Sequence, residues 1–326
     1  MAVTRKNILA DAAARDAFIR GLKLLKAEDS GTTTADFGIP GAARPVSTYD
    51  LFVVWHHLTM NQLTPPGNSA GRNAAHRGPV FLAWHRVMLL ILEQNLQRVL
   101  TDLSFGLPYW DWAADGDKPT AQQPNSPIWA ANCMGGSGDP VTTGPFAFNP
   151  SDPVSWRIRI QAGMAGSLQA VNRGLRRRLA APPPSGVTTL PKTTSVSGSL
   201  GLTPYDQANW DTSAGGFRNR VEGWQTESAL SPPGLHNRVH VWIGGDMSPS
   251  TSPNDPAFYL NHCNIDRIWE GWMTRHGRHY LPDMTAPATL RGHRIDDPIL
   301  SPFSGTTATP RAVLDVGAIY QYDSLP

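Results

Sequence analysis

Six of the ten histidines stand at spacings that would let them hold metal. His236 and His240 lie four apart in Leu235-His236-Asn237-Arg238-Val239-His240, so on a helix both imidazoles leave one face, a turn apart. His262 follows in Phe258-Tyr259-Leu260-Asn261-His262, and His56, His76 and His85 form a second set upstream. A single buried histidine is more often a hydrogen-bonded core residue than a ligand. Three converging imidazoles are costly to bury unless they share a partner, and a metal ion is the usual one. Neither set has a carboxylate at ligand spacing. Imidazole-only ligation suits copper and zinc, whereas magnesium, calcium and manganese prefer oxygen. Dizinc hydrolases normally contribute carboxylates, so copper is the better reading.

Four helices must position these residues. Ser47 can cap the first, in which Phe52, His56, Thr59 and Leu63 share a face, so His56 rather than His57 points inward. Pro79 can open the second, near 79–103, whose stripe Phe81, His85, Leu92, Leu96, Val99 and Leu103 buries His85. His76 falls between them in a turn-rich segment and would reach the site from a loop. Gly244-Gly245 stops the helix of His236 and His240. Asp255 as N-cap and Pro256 in the first turn start the last helix, where Phe258, His262, Ile265 and Trp269 form the buried stripe. The expected fold is mainly α: a four-helix bundle core enclosing a dinuclear copper centre, with long irregular loops and little β.

These residues resemble the type 3 copper proteins (tyrosinases, catechol oxidases, o-aminophenol oxidases and haemocyanins), and among them the short bacterial tyrosinases. The first copper motif is matched by His56, Asn73-Ala74-Ala75-His76 and Phe81-Leu82-Ala83-Trp84-His85-Arg86. The second is matched by Leu235 to His240 and by Pro253-Asn254-Asp255-Pro256 through His262 to Ile265-Asp266-Arg267. Between them, Leu107-Pro108-Tyr109-Trp110-Asp111-Trp112, Phe217-Arg218-Asn219 and Glu222-Gly223-Trp224 also match. The resemblance implies one tyrosinase-like copper domain over 1–326, with a helix and loop over 1–44 and no C-terminal lid domain. It further implies two copper ions, dioxygen as co-substrate, and oxidation of o-diphenols and o-aminophenols to o-quinones or quinone imines. Weaker hydroxylation of monophenols would accompany this. A haemocyanin-like oxygen carrier and a dizinc hydrolase are the competing functions.

By the same resemblance, Glu222 and Asn237 would orient a water that helps deprotonate a phenol. An ion pair of Glu222 with Arg218 or Arg220, and helix N-terminal hydrogen bonding of Asn237, are the structural alternatives. Phe258 would stack near the substrate ring or simply pack in the core, and Val241 and Ser250 would touch substrate. Asp266, one turn after His262, could accept that ligand's free ring N–H or pair with Arg86 or Arg267. Asn261 replaces a histidine that many tyrosinases carry before the last ligand, which changes polarity beside the second metal site. Ala74 replaces the cysteine that some relatives cross-link to the second histidine, so no thioether is expected.

Composition constrains the rest. At 326 residues and 40% hydrophobic content the chain can bury a sizeable core, and a net charge of +2 favours no particular partner. Arg176-Arg177-Arg178 reads as a solvated helix end rather than a nucleic-acid site. Cys133 and Cys263 make no disulfide framework. The first thirty residues carry charges where a secretory signal needs an apolar run, and no apolar run approaches a membrane span. A cytoplasmic location is expected. The alternative, drawn from the resemblance, is export with a small copper-loading helper protein that carries the signal. Residues 11–27 read as an amphipathic helix, and 165–180 as a further helix stopped by Pro182-Pro183-Pro184. Segments 32–45, 113–153 and 185–216 read as loop, and past Gly277 only a short strand at Ala318 to Tyr322 is expected.

Overall fold

The computed structural model describes residues 2–180, 186–227, 231–301 and 307–326. It is mainly helical, and among the described residues the named strands form two-stranded pairs. In chain order, β1 (Val3–Arg5) leads into α1 (Ala12–Ala27), which Asp11 caps by accepting from the Ala14 N–H at 2.8 Å. A hairpin of β2 (Asp29–Thr33) and β3 (Pro45–Ser47) follows, its strands reaching only into the ends of the loop expected over 32–45. Then comes α2 (Thr48–Asn61), capped by Ser47 as its sequence requires: the hydroxyl accepts from the Asp50 N–H at 3.1 Å. Next is α3 (Phe81–Leu100), which lies against α1. The approach is close, because a Cβ on Gly21 would stand 2.7 Å from a Leu96 methyl. Even alanine there would make the Leu96 side chain move.

Two segments depart from expectation. Residues 165–180 hold no α-helix, only the end of a short 3-10 turn at Met164–Gly166. Instead β4 (Ile158–Ala162) and β5 (Leu168–Arg173) form an antiparallel hairpin, consistent with the alternation in Ile158-Arg159-Ile160. Ile160 and Leu168 pack there with Ile39, Val46 and Val54, covering the outer side of α2. The proline stop at 182–184 lies outside the described residues. Arg177 is not a solvated charge either. It is fully buried, with its guanidinium paired to Asp255 at 2.6 Å and its Nη1 donating to the carbonyls of Met134 and Gly135. Within 113–153 lies the short α4 (Trp112–Gly116), and within 185–216 lies α5 (Thr193–Leu200), followed by α6 (Phe217–Glu222).

The final helices are α7 (Leu235–Ile243), ended by Gly244 as expected, and α8 (Ala257–His276). Asp255 still helps to start α8, since one of its oxygens accepts from the Ala257 N–H at 2.9 Å. Every residue of α8 from Ala257 to Met273 is buried, so this helix is the axis of the molecule. Large side chains such as Trp269 and Trp272 fill the space around it, and truncating one to alanine should cost about 3–5 kcal/mol. Charges on so buried a helix need partners. Asp266 accepts from Arg86 at 2.6 Å and Arg5 at 3.1 Å, and from the hydroxyls of Tyr320 and Tyr322. It therefore does not orient His262, whose Nδ1 has no partner; the arginine pairing prevails. After β6 (Ile299–Leu300) and β7 (Thr307–Ala308), the chain ends in β8 (Tyr320–Tyr322), which pairs in parallel with β1. No helix among the described residues is long and apolar enough to cross a membrane.

Candidate metal centre and substrate cleft

The six expected histidines form two clusters, His56 with His76 and His85, and His236 with His240 and His262. In each cluster the potential ligand atoms lie within 4.8 Å of one another. Backbone carbonyls decide which nitrogen carries the proton, because a carbonyl can only accept. His56 donates from Nδ1 to the Ser250 carbonyl at 2.6 Å, and His85 from Nδ1 to the Phe81 carbonyl at 2.8 Å. Both rings are thus fixed with a lone pair on Nε2, and each Nε2 is buried without a hydrogen-bond partner. His76 arrives from its loop because Asn73 folds the Asn73-Ala74-Ala75-His76 turn. The Asn73 side-chain oxygen accepts from the N–H groups of Ala75 and His76 at 3.0 and 2.7 Å.

In the second cluster His236 donates from Nδ1 to the Asn237 side-chain oxygen at 2.9 Å, with the Glu222 carbonyl at 3.3 Å. His240 donates from Nδ1 to the Met247 carbonyl at 2.7 Å. Their Nε2 lone pairs both face Nε2 of His262, at 3.1 and 3.4 Å. A proton on His262 could serve only one of them. Three nitrogens each ~2.0 Å from a shared ion at tetrahedral angles would stand roughly 3.3 Å apart, so the cluster fits a cation. Without one, each buried unpaired nitrogen costs about 1–3 kcal/mol.

Burial also keeps the rings neutral, the form that binds metal. It depresses His56 to about 3 and His240 to about 4. Burial, followed by the neighbouring imidazoles, sets the other four well below the usual range. His57 stays apart, as expected, with Nδ1 against the Ser250 hydroxyl at 2.8 Å and Nε2 against the Gly166 carbonyl at 2.9 Å. The two clusters abut, and Phe258 wedges between them, its centroid 4.2 Å from that of His262 and 5.0 Å from that of His56.

A cleft of about 300 Å³ opens over the clusters, with His56, His76, His236 and His240 at its base. Of the residues expected near substrate, Asn237 and Val241 border it. Phe258 does not; it is fully buried against the rings of His56 and His262. Ser250 turns its carbonyl and hydroxyl to His56 and His57 instead of bordering the cleft. Asn261 is fully buried away from the cleft, with neither amide atom paired. Glu222 is buried one layer behind the wall. One oxygen accepts from Arg218 at 3.0 Å, the other from the Arg77 backbone N–H at 2.6 Å, and burial raises its pKa. The ion pair with Arg218 therefore forms, while Arg220 faces Glu227 at 4.0 Å. Met60, Arg77, Trp224 and Pro249 also wall the cleft and were not legible as substrate contacts. For Arg77 the available signal was its position directly after a ligand.

Known proteins bear on the same residues. The family model described as the common central domain of tyrosinase matches residues 46–275. A tyrosinase of Streptomyces antibioticus is 38% identical over 280 residues, which cover 84% of this chain and 89% of that one. A grixazone synthase of Streptomyces griseus is 38% identical over 294 residues, covering 84% and 90%. In structure, a polyphenol oxidase from Thermothelomyces thermophila (a G292N mutant) superposes with a TM-score of 0.70 at 23% identity, covering 100% of this chain and 89% of that one. The chain belongs to the tyrosinase family, whose dinuclear copper centre the two histidine clusters fit.

Proposed function

We propose that the chain is a dicopper oxidase that uses dioxygen to convert o-diphenols and o-aminophenols to o-quinones or quinone imines, with weaker hydroxylation of monophenols. In this reading α2, α3, α7 and α8 are the four-helix core around the metal pair. The observation that carries it is the pair of all-histidine clusters at the base of an open cleft, with His56, His85, His236 and His240 each donating from Nδ1 to a fixed oxygen. When bound, the copper pair supplies dioxygen binding and two-electron transfer. His56, His76 and His85 would hold one ion, and His236, His240 and His262 the other. Each o-diphenol gives up two electrons and two protons; one dioxygen takes up four of each and leaves as two waters.

The remaining work falls to the walls. Met60, Trp224 and Val241 give an apolar slot for a single aromatic ring. The carbonyls of Ser250, Phe81 and Met247 hold the ligand rings in one tautomer. A monophenol must also lose its hydroxyl proton. Asn237, at the cleft wall, could hold a water with the Glu222 carboxylate behind it, and Arg218 keeps that carboxylate in place. The accessible cleft favours turnover over oxygen carriage. Among the described residues no carboxylate joins either cluster, which disfavours a dizinc hydrolase. That one relative bears the name grixazone synthase supports a substrate range wider than tyrosine. The test is a panel of monophenol, o-diphenol and o-aminophenol on copper-loaded protein. Strong turnover of the last two and weak turnover of the first is expected; turnover of none would refute the assignment.

A further inference from the structure

Arg77 directly follows the ligand His76 and borders the same cleft as His236, Asn237 and Val241. Its backbone lies at φ 61°, a left-handed conformation that costs a residue other than glycine about 1 kcal/mol or more. The hydrogen bond from its N–H to Glu222 holds it there. From this anchored backbone the exposed side chain places its guanidinium carbon 5.3 Å from the centroid of Trp224, another cleft residue. Its Nη1 lies beside Gly71, 3.6 Å from where a Cβ would stand. The carboxylates in this wall are already engaged. Arg218 pairs with Asp206 and Glu222, and Arg220 faces Glu227. Among the described residues the Arg77 guanidinium makes no ion pair, so it is an uncompensated cation, held in place at the mouth of a slot for one aromatic ring.

From this placement we propose that Arg77 is a specificity-determining residue that binds a carboxylate carried on the substrate's aromatic ring. The preferred substrates are then benzoic acids bearing the reacting o-diphenol or o-aminophenol pair. The planar fork of a guanidinium matches a carboxylate through two parallel hydrogen bonds, and stacking on Trp224 limits the freedom lost when it does so. This inference rests on the oxidase reading for the identity of the reacting groups, but not for the carboxylate site itself.

The experiment separates the two. Calorimetric titration of copper-loaded protein with benzoate and with benzamide reads binding without turnover. Oxygen uptake with 3,4-dihydroxybenzoate and with its methyl ester reads substrate preference. Wild type should bind benzoate about tenfold more tightly than benzamide. Arg77→Gln should remove that difference and lower the acid-to-ester ratio of kcat/KM by a similar factor, through KM. Arg77→Lys, which keeps the charge but not the fork, should retain part of both. Equal binding of benzoate and benzamide by wild type, or a preference that survives in Arg77→Gln, would overturn the inference. A preference lost in Arg77→Gln while neither catechol is oxidised would uphold the carboxylate site and sink the oxidase reading instead.

Discussion

The imidazoles of His85 and His262 lie stacked, 4.0 Å between centroids and 12° between planes, one from each cluster. They come from α3 and α8, two long helices in direct contact, so the spacing of the two clusters is set by helix packing rather than by loops.

Removal of either ring should therefore be selective. His85→Ala or His262→Ala should each lose one copper per chain and abolish o-diphenol oxidation. His57→Ala, whose ring meets Ser250, Gly166 and Asn61 rather than either cluster, should keep two coppers at a stability cost of about 1 kcal/mol. Metal analysis of the purified variants checks this. Two coppers and full activity in His85→Ala would show that the ligand assignment is wrong.

The proposed water-orienting role of Asn237 and Glu222 makes a sharper demand. Asn237→Gly should reduce monophenol turnover several-fold more than o-diphenol turnover, because only the former must shed a hydroxyl proton before oxidation. Glu222→Gln should do the same and also lower the melting temperature, since Arg218 loses one of its two carboxylates. Equal losses of both activities in Asn237→Gly would remove the role.

Acid should unfold the metal-free chain. His56, His240 and His293 are held neutral by burial, at about 3, 4 and 3, whereas in the unfolded chain they protonate near ~6.5. Their folded values are depressed, so the stability is fully present above ~6.5 and is lost as pH falls toward those values. At pH 5 each costs about 2 kcal/mol relative to neutrality. Urea unfolding of metal-free protein at pH 7 and pH 5 measures this, and a midpoint that does not move would contradict the burial of these rings.

The Arg177–Asp255 pair offers a test of the fold itself. Asp255→Ala should destabilise the chain by about 3–5 kcal/mol by stranding a buried guanidinium. The double variant Arg177→Met with Asp255→Ala should recover part of that loss. A single variant as stable as wild type would mean that Arg177 reaches solvent.

Most of the metal centre was legible because helical spacing places histidines directly. The four-residue step from His236 to His240, and the apolar stripe running through His262, determine where those rings point. Ser47 and Gly244 marked real helix ends for the same local reason. What could not be read depended on contacts distant in sequence. Arg177 looks solvated in a run of three arginines until Asp255, far along the chain, folds over it. Asp266 sits one turn from His262, yet Arg5 and Arg86 claim its oxygens. Phe258 and Asn261 neighbour ligands in sequence but are fully buried and do not border the cleft. The β4–β5 hairpin carried its own alternation, which the basic run beyond it obscured.

We propose that two copper ions, each held by histidines alone at the base of this cleft, oxidise o-diphenols with dioxygen. Oxygen uptake by protein loaded with two equivalents of copper, on adding catechol, tests it most directly, with zinc-loaded protein as the control. Rapid uptake of one dioxygen per two catechols with copper, and none with zinc, is the expected result. A chain that holds both copper ions yet consumes no oxygen with catechol would contradict it.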